Sequence, residues 1–385
     1  MAQLQRTRLV AFIGAALVLM ALVLAGCGSS GSSGSSETST GGSESSGSEI
    51  KPTAAVPAEF PDYESLSPKN FKAPSKPVKI AALAPETVLP IQQSYVKGWE
   101  AAAEADNVEL EVYDAGGFTN VAKQVSQMET AIANKPDAII LIPAVPTAFN
   151  TTIEEAHKQG IPVVGELLPP SSPLTTWSLV DSLEADGGYM VEAIAKKTNE
   201  EGEIFLINGA KGSAVDTLST KGIQEAMAKY PNMKIAYESH LPSFDASSGQ
   251  QVAESAIVKY PNVVGVVSNS TTLAEGVAKA ITDAGKSEVV ISGIGPDTAE
   301  QFSSIRSGKL AAAIAVPFAK TSEIVMEWAA QIASGGAAPK EPIQVIEPMV
   351  ITTENVEQTV ESGAIYQALA PSIAQCGPAY GGKQC

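Results

Sequence analysis

The chain has 385 residues, and its 25 basic and 42 acidic side chains give a formal net charge of −17. This charge argues against a nucleic-acid partner, because phosphate binding requires a basic surface, and also against adsorption to anionic lipid. Without the N-terminal segments described next, about 300 residues remain, which is enough for two domains of ordinary size.

The N-terminus has the pattern of a lipoprotein signal peptide. Arg6 and Arg8 form a short basic region, residues 9–24 are apolar, and the sequence Leu-Ala-Gly-Cys that ends at Cys27 looks like a bacterial lipobox. The apolar run is marginal for a membrane-spanning helix, which needs about 20 residues, and the small residues before Cys27 fit cleavage. We expect residues 1–26 to be removed and Cys27 to carry lipid, with an uncleaved anchor as the alternative. Either way, the following chain is expected on the extracytoplasmic face of the cell membrane.

Both ends of the remaining chain are predicted to lie outside the folded body. Residues 28–50 are almost wholly Gly, Ser, Thr and Glu, and residues 51–77 are rich in proline, so residues 27–77 are predicted to form a disordered and then extended tether. Residues 357–385 form a predicted C-terminal tail. Its Cys376 and Cys385 are an even pair in an exported chain, for which a disulfide is expected and two free thiols are the alternative.

Between these ends, short apolar runs alternate with amphipathic stretches. The predicted strands are residues 78–84, 108–113, 138–142, 161–164, 203–207, 233–237, 263–267 and 289–291. The predicted helices are residues 91–106, 121–134, 147–159, 185–197, 216–230, 247–260 and 273–284. This alternation predicts parallel sheets covered by helices on both faces. Because the repeats are too many for one five-stranded sheet, we expect two doubly wound, Rossmann-like α/β domains that divide near Asp181, with a (β/α)₈ barrel as the alternative.

A doubly wound sheet binds ligands beyond the carboxyl ends of its strands. Two such sheets that face each other would form a cleft, and the cleft could close about hinges. We therefore expect the functional residues in the loops that lead from strands to helices.

Four motifs carry a family resemblance: PDAIIL from Pro136, QGIPVV from Gln159, AGK from Ala284 ahead of a strand, and SGKLAAAIA from Ser307, which in the family is a strand. Over about residues 78–351 the chain resembles the class I, sugar-type periplasmic binding proteins, such as the ribose-binding protein, that serve ABC importers. The resemblance implies two lobes joined by three crossovers. The N-terminal lobe would hold residues 78–180 and 317–347, and the C-terminal lobe residues 181–316 and 348–356.

The function implied by this resemblance is capture of a small-molecule solute between the lobes, by a monomer, for delivery to the permease subunits of an ABC importer. A sensor that presents the ligand to a signalling receptor is the alternative. A sugar or sugar-like solute is the first expectation, and another small organic solute is the second.

The ligand loops depart from the family's sugar pattern. The Asp-Arg pair that usually follows the IPVV strand is replaced by Gly165-Glu166-Leu167-Leu168. The Asn-Asp pair after the strand ending at Ser268 becomes Asn269-Ser270-Thr271. Where the family places an arginine near the second helix of the C-terminal lobe, this chain has Val215-Asp216-Thr217, and the family's usual Phe-Asp pair becomes Ile294-Gly295-Pro296-Asp297. Because charged, bidentate hydrogen bonds hold sugar hydroxyls, their loss favours a less polyhydroxylated or more apolar ligand.

The candidate ligand-binding residues come from these loops. Phe244 matches an aromatic residue that stacks on sugar in the family, Glu166 replaces the family's acid as a polar anchor, and Asn269 ends a central strand. Asp181 lies at the expected hinge, where it could instead cap it, and Asp297 could instead cap a helix. The other candidates, which could also be solvated turn residues or local packing, are Glu86, Thr87, Gln92, Tyr95, Phe118 and Ser270.

No motif in the sequence indicates an enzyme. We find no nucleophile elbow, no His-Glu-x-x-His, no P-loop and no dinucleotide-binding glycine fingerprint. His157 and His240 are far apart and show no zinc-ligand spacing, so each is expected to be a solvated surface residue. We therefore expect no catalytic residue, no cofactor and no metal.

Overall fold

The computed structural model describes residues 62–296 and 298–361. The predicted signal peptide, the lipid-carrying Cys27, most of the predicted tether, Cys376 and Cys385 lie outside these residues, as does the candidate Asp297. None of the helices in the described part is long and apolar enough to cross a membrane.

Strands and helices alternate along the described chain. The strands are β1 (Val78–Ala84), β2 (Val108–Asp114), β3 (Ala138–Leu141), β4 (Val163–Leu167), β5 (Trp177–Asp181), β6 (Glu201–Asn208), β7 (Asn232–His240), β8 (Val263–Ser268), β9 (Val290–Ile294), β10 (Ala312–Ala315), β11 (Ile343–Ile346) and β12 (Met349–Thr352). The helices are α1 (Pro90–Ala105), α2 (Val121–Ala133), α3 (Asn150–Lys158), α4 (Leu183–Lys197), α5 (Ala214–Met227), α6 (Ala246–Lys259), α7 (Thr271–Asp283), α8 (Ala299–Arg306), α9 (Phe318–Ala333) and α10 (Val356–Glu361). Short 3₁₀ helices lie at Tyr63–Leu66 and Pro146–Phe149.

The strands form two separate six-stranded sheets. Sheet 1 has the order β11-β5-β4-β3-β1-β2 and sheet 2 the order β12-β10-β9-β8-β6-β7. Neighbouring strands are parallel throughout, except that β12 runs antiparallel to β10. The two sheets therefore share one doubly wound order, which confirms the expected fold class and excludes the single barrel.

The chain passes between the two sheets three times, after β5, after β10 and between β11 and β12. In each sheet the winding direction reverses at an interior pair of strands, β1 and β3 in sheet 1 and β6 and β8 in sheet 2. Ligands of doubly wound sheets bind beside such reversals. The boundaries of the two lobes in sequence stay a prediction.

Several elements differ from the sequence-based prediction. Strand β5 was not predicted, although all five of its residues are buried. The strand expected over residues 307–315 begins only at Ala312, because Gly308 has a φ of 76° and follows the end of helix α8. The helix expected over residues 147–159 is divided into a 3₁₀ turn and α3.

Close helix packing covers the sheets. Helices α1 and α9 pack together beside sheet 1, and α4 and α5 pack together, with α4 against sheet 2. A Cβ added at Gly222 of α5 would collide with the carbonyl oxygen of Glu184 of α4, so this glycine permits the close approach of the two helices. Trp177 of β5 is fully buried and packs against Trp328 of α9, with ring centroids 5.5 Å apart.

The last part of the predicted tether contacts the folded body. The Tyr63 hydroxyl donates to the carbonyl oxygen of Glu347 at 2.7 Å, and Trp328 Nε1 donates to the carbonyl oxygen of Leu66 at 2.8 Å. Lys320 of α9 pairs with Glu64 at 2.7 Å. Residues 63–66 therefore lie against α9 and against the crossover between β11 and β12.

Candidate functional site

A cavity lies at the carboxyl ends of strands from both sheets, and the space in it that protein atoms leave free, counted together with its opening to solvent, is about 510 Å³. Its lining residues are Ile91, Gln92, Tyr95, Phe118, Leu167, Asp181, Leu183, Val215, Phe244, Asn269, Ser270, Ile294 and Phe318. They include seven of the predicted ligand-binding residues, namely Gln92, Tyr95, Phe118, Asp181, Phe244, Asn269 and Ser270. That these residues bind a ligand stays a prediction.

An aromatic contact closes the cavity between the two sheets. Phe118, after β2, and Phe244, after β7, meet edge to face with ring centroids 5.7 Å apart and an interplanar angle of 87°. A Cβ at Gly209 would lie 2.5 Å from the Phe244 ring, so this glycine leaves room for the ring. The Ala214 amide donates to the Ala144 carbonyl oxygen at 3.2 Å and makes a second contact between loops of the two sheets.

Asp245 fixes the backbone beside Phe244. Its side chain caps helix α6 by accepting a hydrogen bond from the Ser248 amide at 2.9 Å. Hydrogen bonds from Ser243, Ser247 and Ser248 hold the pKa of this carboxyl far below its ordinary value, so it is charged at neutral pH. Phe244 is therefore held by a helix cap on one side and by Gly209 on the other.

Two asparagines join β6 to β8 where sheet 2 reverses direction. Asn208 Oδ1 accepts from the Asn269 amide at 2.9 Å, and Asn269 Oδ1 accepts from the Gly209 amide at 2.8 Å. Asn269 Nδ2 also donates to the Gly209 carbonyl oxygen at 3.2 Å. Ser270 caps helix α7 through a bond from the Leu273 amide. The side chains of Asn269 and Ser270 thus make most of their hydrogen bonds within the protein.

Glu86 and Thr87 lie in the loop after β1 but do not line the cavity. The Glu86 carbonyl oxygen accepts a hydrogen bond from the Tyr95 hydroxyl, and Thr87 Oγ1 donates to Asp114 Oδ2 at 2.7 Å. Burial and the neighbouring Asp114 carboxylate raise the pKa of Glu86. The structure thus gives these two residues a role in shaping the loop that carries the cavity wall.

Glu166 is also absent from the cavity lining. It is 2% exposed, and its two carboxyl oxygens accept hydrogen bonds from Trp99 Nε1 at 2.8 Å and from Ser322 Oγ. Burial raises the pKa of Glu166 to about 7, against the opposing effect of these two bonds. Its carboxyl joins β4 to α1 and α9, next to the cavity-lining Leu167.

Asp181 ends β5 at the first crossover and faces a second acid. Asp181 and Asp186 are 4% and 0% exposed, and no hydrogen bond of ordinary geometry reaches their four carboxyl oxygens, although the Ser182 amide and the Asp186 carboxyl lie beside Asp181. Burial raises the pKa of Asp181 to about 7 and, with the Asp181 charge, raises the pKa of Asp186 well above its ordinary value. The two carboxyls lie close enough to share a proton.

Six apolar lining residues were not among the sequence-based candidates: Ile91, Leu167, Leu183, Val215, Ile294 and Phe318. Three of them, Leu167, Val215 and Ile294, lie in segments where the chain departs from the family's sugar pattern, and that departure is the signal that could have indicated them. Of the described residues that line the cavity, none is a lysine, arginine or histidine. The chain has three arginines, and the one within the described residues, Arg306, pairs with Glu357 at 2.7 Å.

The expectation that His240 is a solvated surface residue is wrong. Its side chain is 23% exposed, and its Nδ1 and Nε2 lie 2.6 Å from Asp216 Oδ1 and 2.8 Å from Glu238 Oε1. Within residues 62–296 and 298–361 there is no group of three His, Cys, Asp or Glu side chains that could hold a metal ion.

The comparisons with known proteins decide the family. The profile of the periplasmic binding protein domain family matches residues 80–337. The chain belongs to this family. Its resemblance to the class I, sugar-type binding proteins is confirmed, and its homologues are substrate-binding proteins of ABC transporters, not enzymes.

Curated relatives and solved structures agree with this membership. The chain is 24% identical over 270 residues to the xylitol-binding protein of Mycolicibacterium smegmatis, covering 69% of this chain and 74% of that protein. It is 27% identical over 252 residues to the ribose import binding protein of Bacillus subtilis, covering 65% and 80%. An ABC transporter solute-binding protein of Agrobacterium vitis, solved with bound D-fucose, has the same fold as this chain. The TM-score is 0.69 at 19% identity, and the match covers 76% of this chain and 100% of that protein.

Proposed function

We propose that the protein is an extracytoplasmic receptor that captures a sugar or sugar-like solute in this cavity and delivers it to the permease subunits of an ABC importer. The observation that carries the proposal is the position of the cavity. It lies at the carboxyl ends of two doubly wound sheets and is lined by residues from both. Capture would then couple ligand binding to closure of the two predicted lobes, residues 78–180 with 317–347 and residues 181–316 with 348–356.

The named relatives support a sugar or sugar-like ligand, because their names refer to xylitol and ribose. The lining of this cavity is more apolar than a site that reads many hydroxyls, since nine of its thirteen residues are aliphatic or aromatic. A ligand with an apolar face fits this lining better than one with hydroxyls on every side.

The proposal includes attachment to the membrane through lipid on Cys27, with the protein acting as a monomer. The lipobox-like sequence and the Gly/Ser-rich stretch of residues 28–50 support it. Incorporation of labelled palmitate into the full chain, and loss of that label in Cys27→Ser, tests the attachment. A full chain that carries no label would overturn the lipid anchor without affecting the solute proposal.

A thermal-shift screen of the full chain in detergent tests solute capture. The panel should hold aldoses, deoxy sugars, polyols, amino sugars and non-sugar organic acids. A specific ligand at 100 times its Kd adds about 2.7 kcal/mol of stability, which is several degrees in Tm. We expect at least one carbohydrate of the panel to raise the Tm, and we expect Phe244→Ala to reduce this stabilisation. A panel without any stabilising compound contradicts the proposal.

A further inference from the structure

The polar atoms of the cavity that lack partners are all hydrogen-bond acceptors. Gln92 is 3% exposed and its Oε1 receives no hydrogen bond, and no bond of ordinary geometry reaches the carboxyl oxygens of Asp181, whose nearest polar neighbours are the Ser182 amide and the Asp186 carboxyl. The neighbouring polar groups are engaged elsewhere, since the Tyr95 hydroxyl donates to Glu86 and Asn269 bonds to Gly209. Because a buried acceptor without a donor costs about 1–3 kcal/mol, the vacant acceptors indicate a ligand that brings donors.

The carboxyl of Asp181 also lacks a positive partner. The ionisable groups that face the Asp181–Asp186 pair most closely are Glu347 at the third crossover and the phenol of Tyr63, and neither is basic. A buried carboxylate in a protein is normally paired with a cation or with several donors. None of the described residues lining the cavity can supply the cation.

Aromatic rings surround this acidic end. Tyr95, Phe118, Phe244 and Phe318 all line the cavity. An ammonium group over an aromatic face gains about 0.5–2 kcal/mol, and such rings together with a carboxylate form a favourable site for an organic cation. The net charge of −17 also attracts cations toward the protein as a whole.

We propose that the solute carries a protonated amine, whose N–H groups bind Asp181 and Gln92 while its apolar face packs against the rings of Phe118 and Phe244. This inference rests on the proposed function and narrows its ligand to an amino sugar or a similar amine-bearing solute. The ammonium takes the place of the proton that the two aspartates share in the empty cavity.

Binding of the amine is therefore coupled to release of a proton to solvent. With the pKa of Asp181 near 7 in the empty cavity, an ammonium ion that requires the carboxylate form competes with protonation of the pair. The affinity should rise as the pH rises through 7. A neutral solute of the same shape has no such requirement, because it can bind either protonation state.

Isothermal titration calorimetry of the full chain in detergent tests the inference with matched pairs of compounds. The probes are D-glucosamine with D-glucose, D-galactosamine with D-galactose, and 2-aminocyclohexanol with cyclohexane-1,2-diol. We expect the amine of at least one pair to bind at least tenfold more tightly than its hydroxyl partner. Titration in phosphate and in Tris, whose protonation enthalpies differ, should reveal the released proton.

Variants separate the role of the carboxyl from that of the fold. Asp181→Asn should abolish the preference for the amine and the proton release, and Gln92→Leu should weaken binding without changing the proton release. Asp283→Asn on the exposed face of α7 is the matched control, and it should leave both unchanged. The Tm of each variant reports whether it folds. If Asp181→Asn does not fold, Gln92→Leu keeps the test decisive.

The outcomes distinguish this inference from the proposed function. A hydroxyl compound that binds as tightly as its amine partner, with Asp181→Asn unaffected, overturns the amine and leaves solute capture standing. The same holds if only neutral members of the wider screening panel bind. If no compound of the matched pairs and no compound of the wider panel binds, both the amine inference and the proposed solute capture are overturned.

Discussion

Phe118 and Phe244 join loops of different sheets through one edge-to-face contact, with ring centroids 5.7 Å apart. Aromatic pairs of this kind are worth about 0.5–1.5 kcal/mol beyond the area they bury. The contact holds these two loops together, and both rings line the cavity.

Phe244→Ala should weaken ligand binding about tenfold, because it removes both the contact between loops and one wall of the cavity; about 1.4 kcal/mol corresponds to that factor. Calorimetry with any ligand found in the screen measures it. Val258→Ala, at a position 85% exposed on α6, is the control and should leave the Kd unchanged. An unchanged Kd in Phe244→Ala would show that the ring takes no part in binding.

Asn269→Ala should destabilise the protein by about 1–3 kcal/mol for each buried group left without a partner. The substitution removes the acceptor of the Gly209 amide and the donor to the Gly209 carbonyl oxygen. Urea unfolding measures the loss. Asn134→Ala, whose amide donates to Tyr113 at the surface, should change stability by no more than about 0.5 kcal/mol. Equal effects from the two substitutions would contradict the structural role of Asn269.

Glu166 should make the protein less stable as the pH rises from 4.5 to about 7. Its folded pKa of about 7 lies above the ordinary value of 4.5, so the folded chain binds more protons than the unfolded chain in this window. The loss can reach about 3 kcal/mol, since each pH unit is worth about 1.4 kcal/mol. Glu166→Gln keeps both hydrogen bonds possible and should flatten this part of the pH profile. Parallel profiles of the two proteins would exclude an elevated pKa.

Two helical glycines should respond to alanine with opposite signs. Gly222→Ala should cost about 1–3 kcal/mol, because the added methyl meets the Glu184 backbone. Gly188→Ala in α4, where an added Cβ meets nothing within 4 Å, should stabilise the protein by about 0.4–1 kcal/mol. Thermal or urea unfolding of both variants checks this, and stabilisation by both would mean that α4 and α5 can move apart at no cost.

His240 should stabilise the protein in its charged form. Partial burial acts to lower its pKa, but hydrogen bonds to Glu238 and Asp216 and their charges raise the pKa above 6.5 overall. The stabilisation is complete below pH 6.5 and is lost as the pH rises through the folded pKa. An NMR titration of the imidazole measures that pKa directly, and His240→Gln should remove the corresponding step in stability. His157→Gln, at an exposed position on α3, serves as the control.

Local patterns were sufficient to predict most of the fold. Strand β1 occupies residues 78–84 as expected, because a short run that is apolar except for Lys79 and is bounded by prolines predicts a buried strand. Strand β5 was not predicted, since a five-residue strand that contains Ser178 and Asp181 shows no clear period by itself. It becomes a strand through pairing with β4 and β11, and β11 comes from a part of the chain more than 160 residues away.

The candidate site divides in the same way. Position at the end of a strand indicated Asn269, and the match to the family's aromatic residue indicated Phe244. Both line the cavity, because the carboxyl ends of parallel strands meet at one edge of the sheet. The same reasoning placed Glu166 at the right strand end but gave it the wrong neighbours, since Trp99 and Ser322 come from helices on either side in sequence.

The sequence by itself determined the alternation of strands and helices, the family and the set of loops in which a ligand site could lie, because these depend on residue patterns a few positions apart. Only the tertiary structure decided which loop side chains face the cavity, and that Asp181 lies against Asp186 without a basic partner. Those properties depend on groups that the fold brings together from distant segments, and a carboxyl group has its ordinary pKa until burial and a neighbouring charge change it.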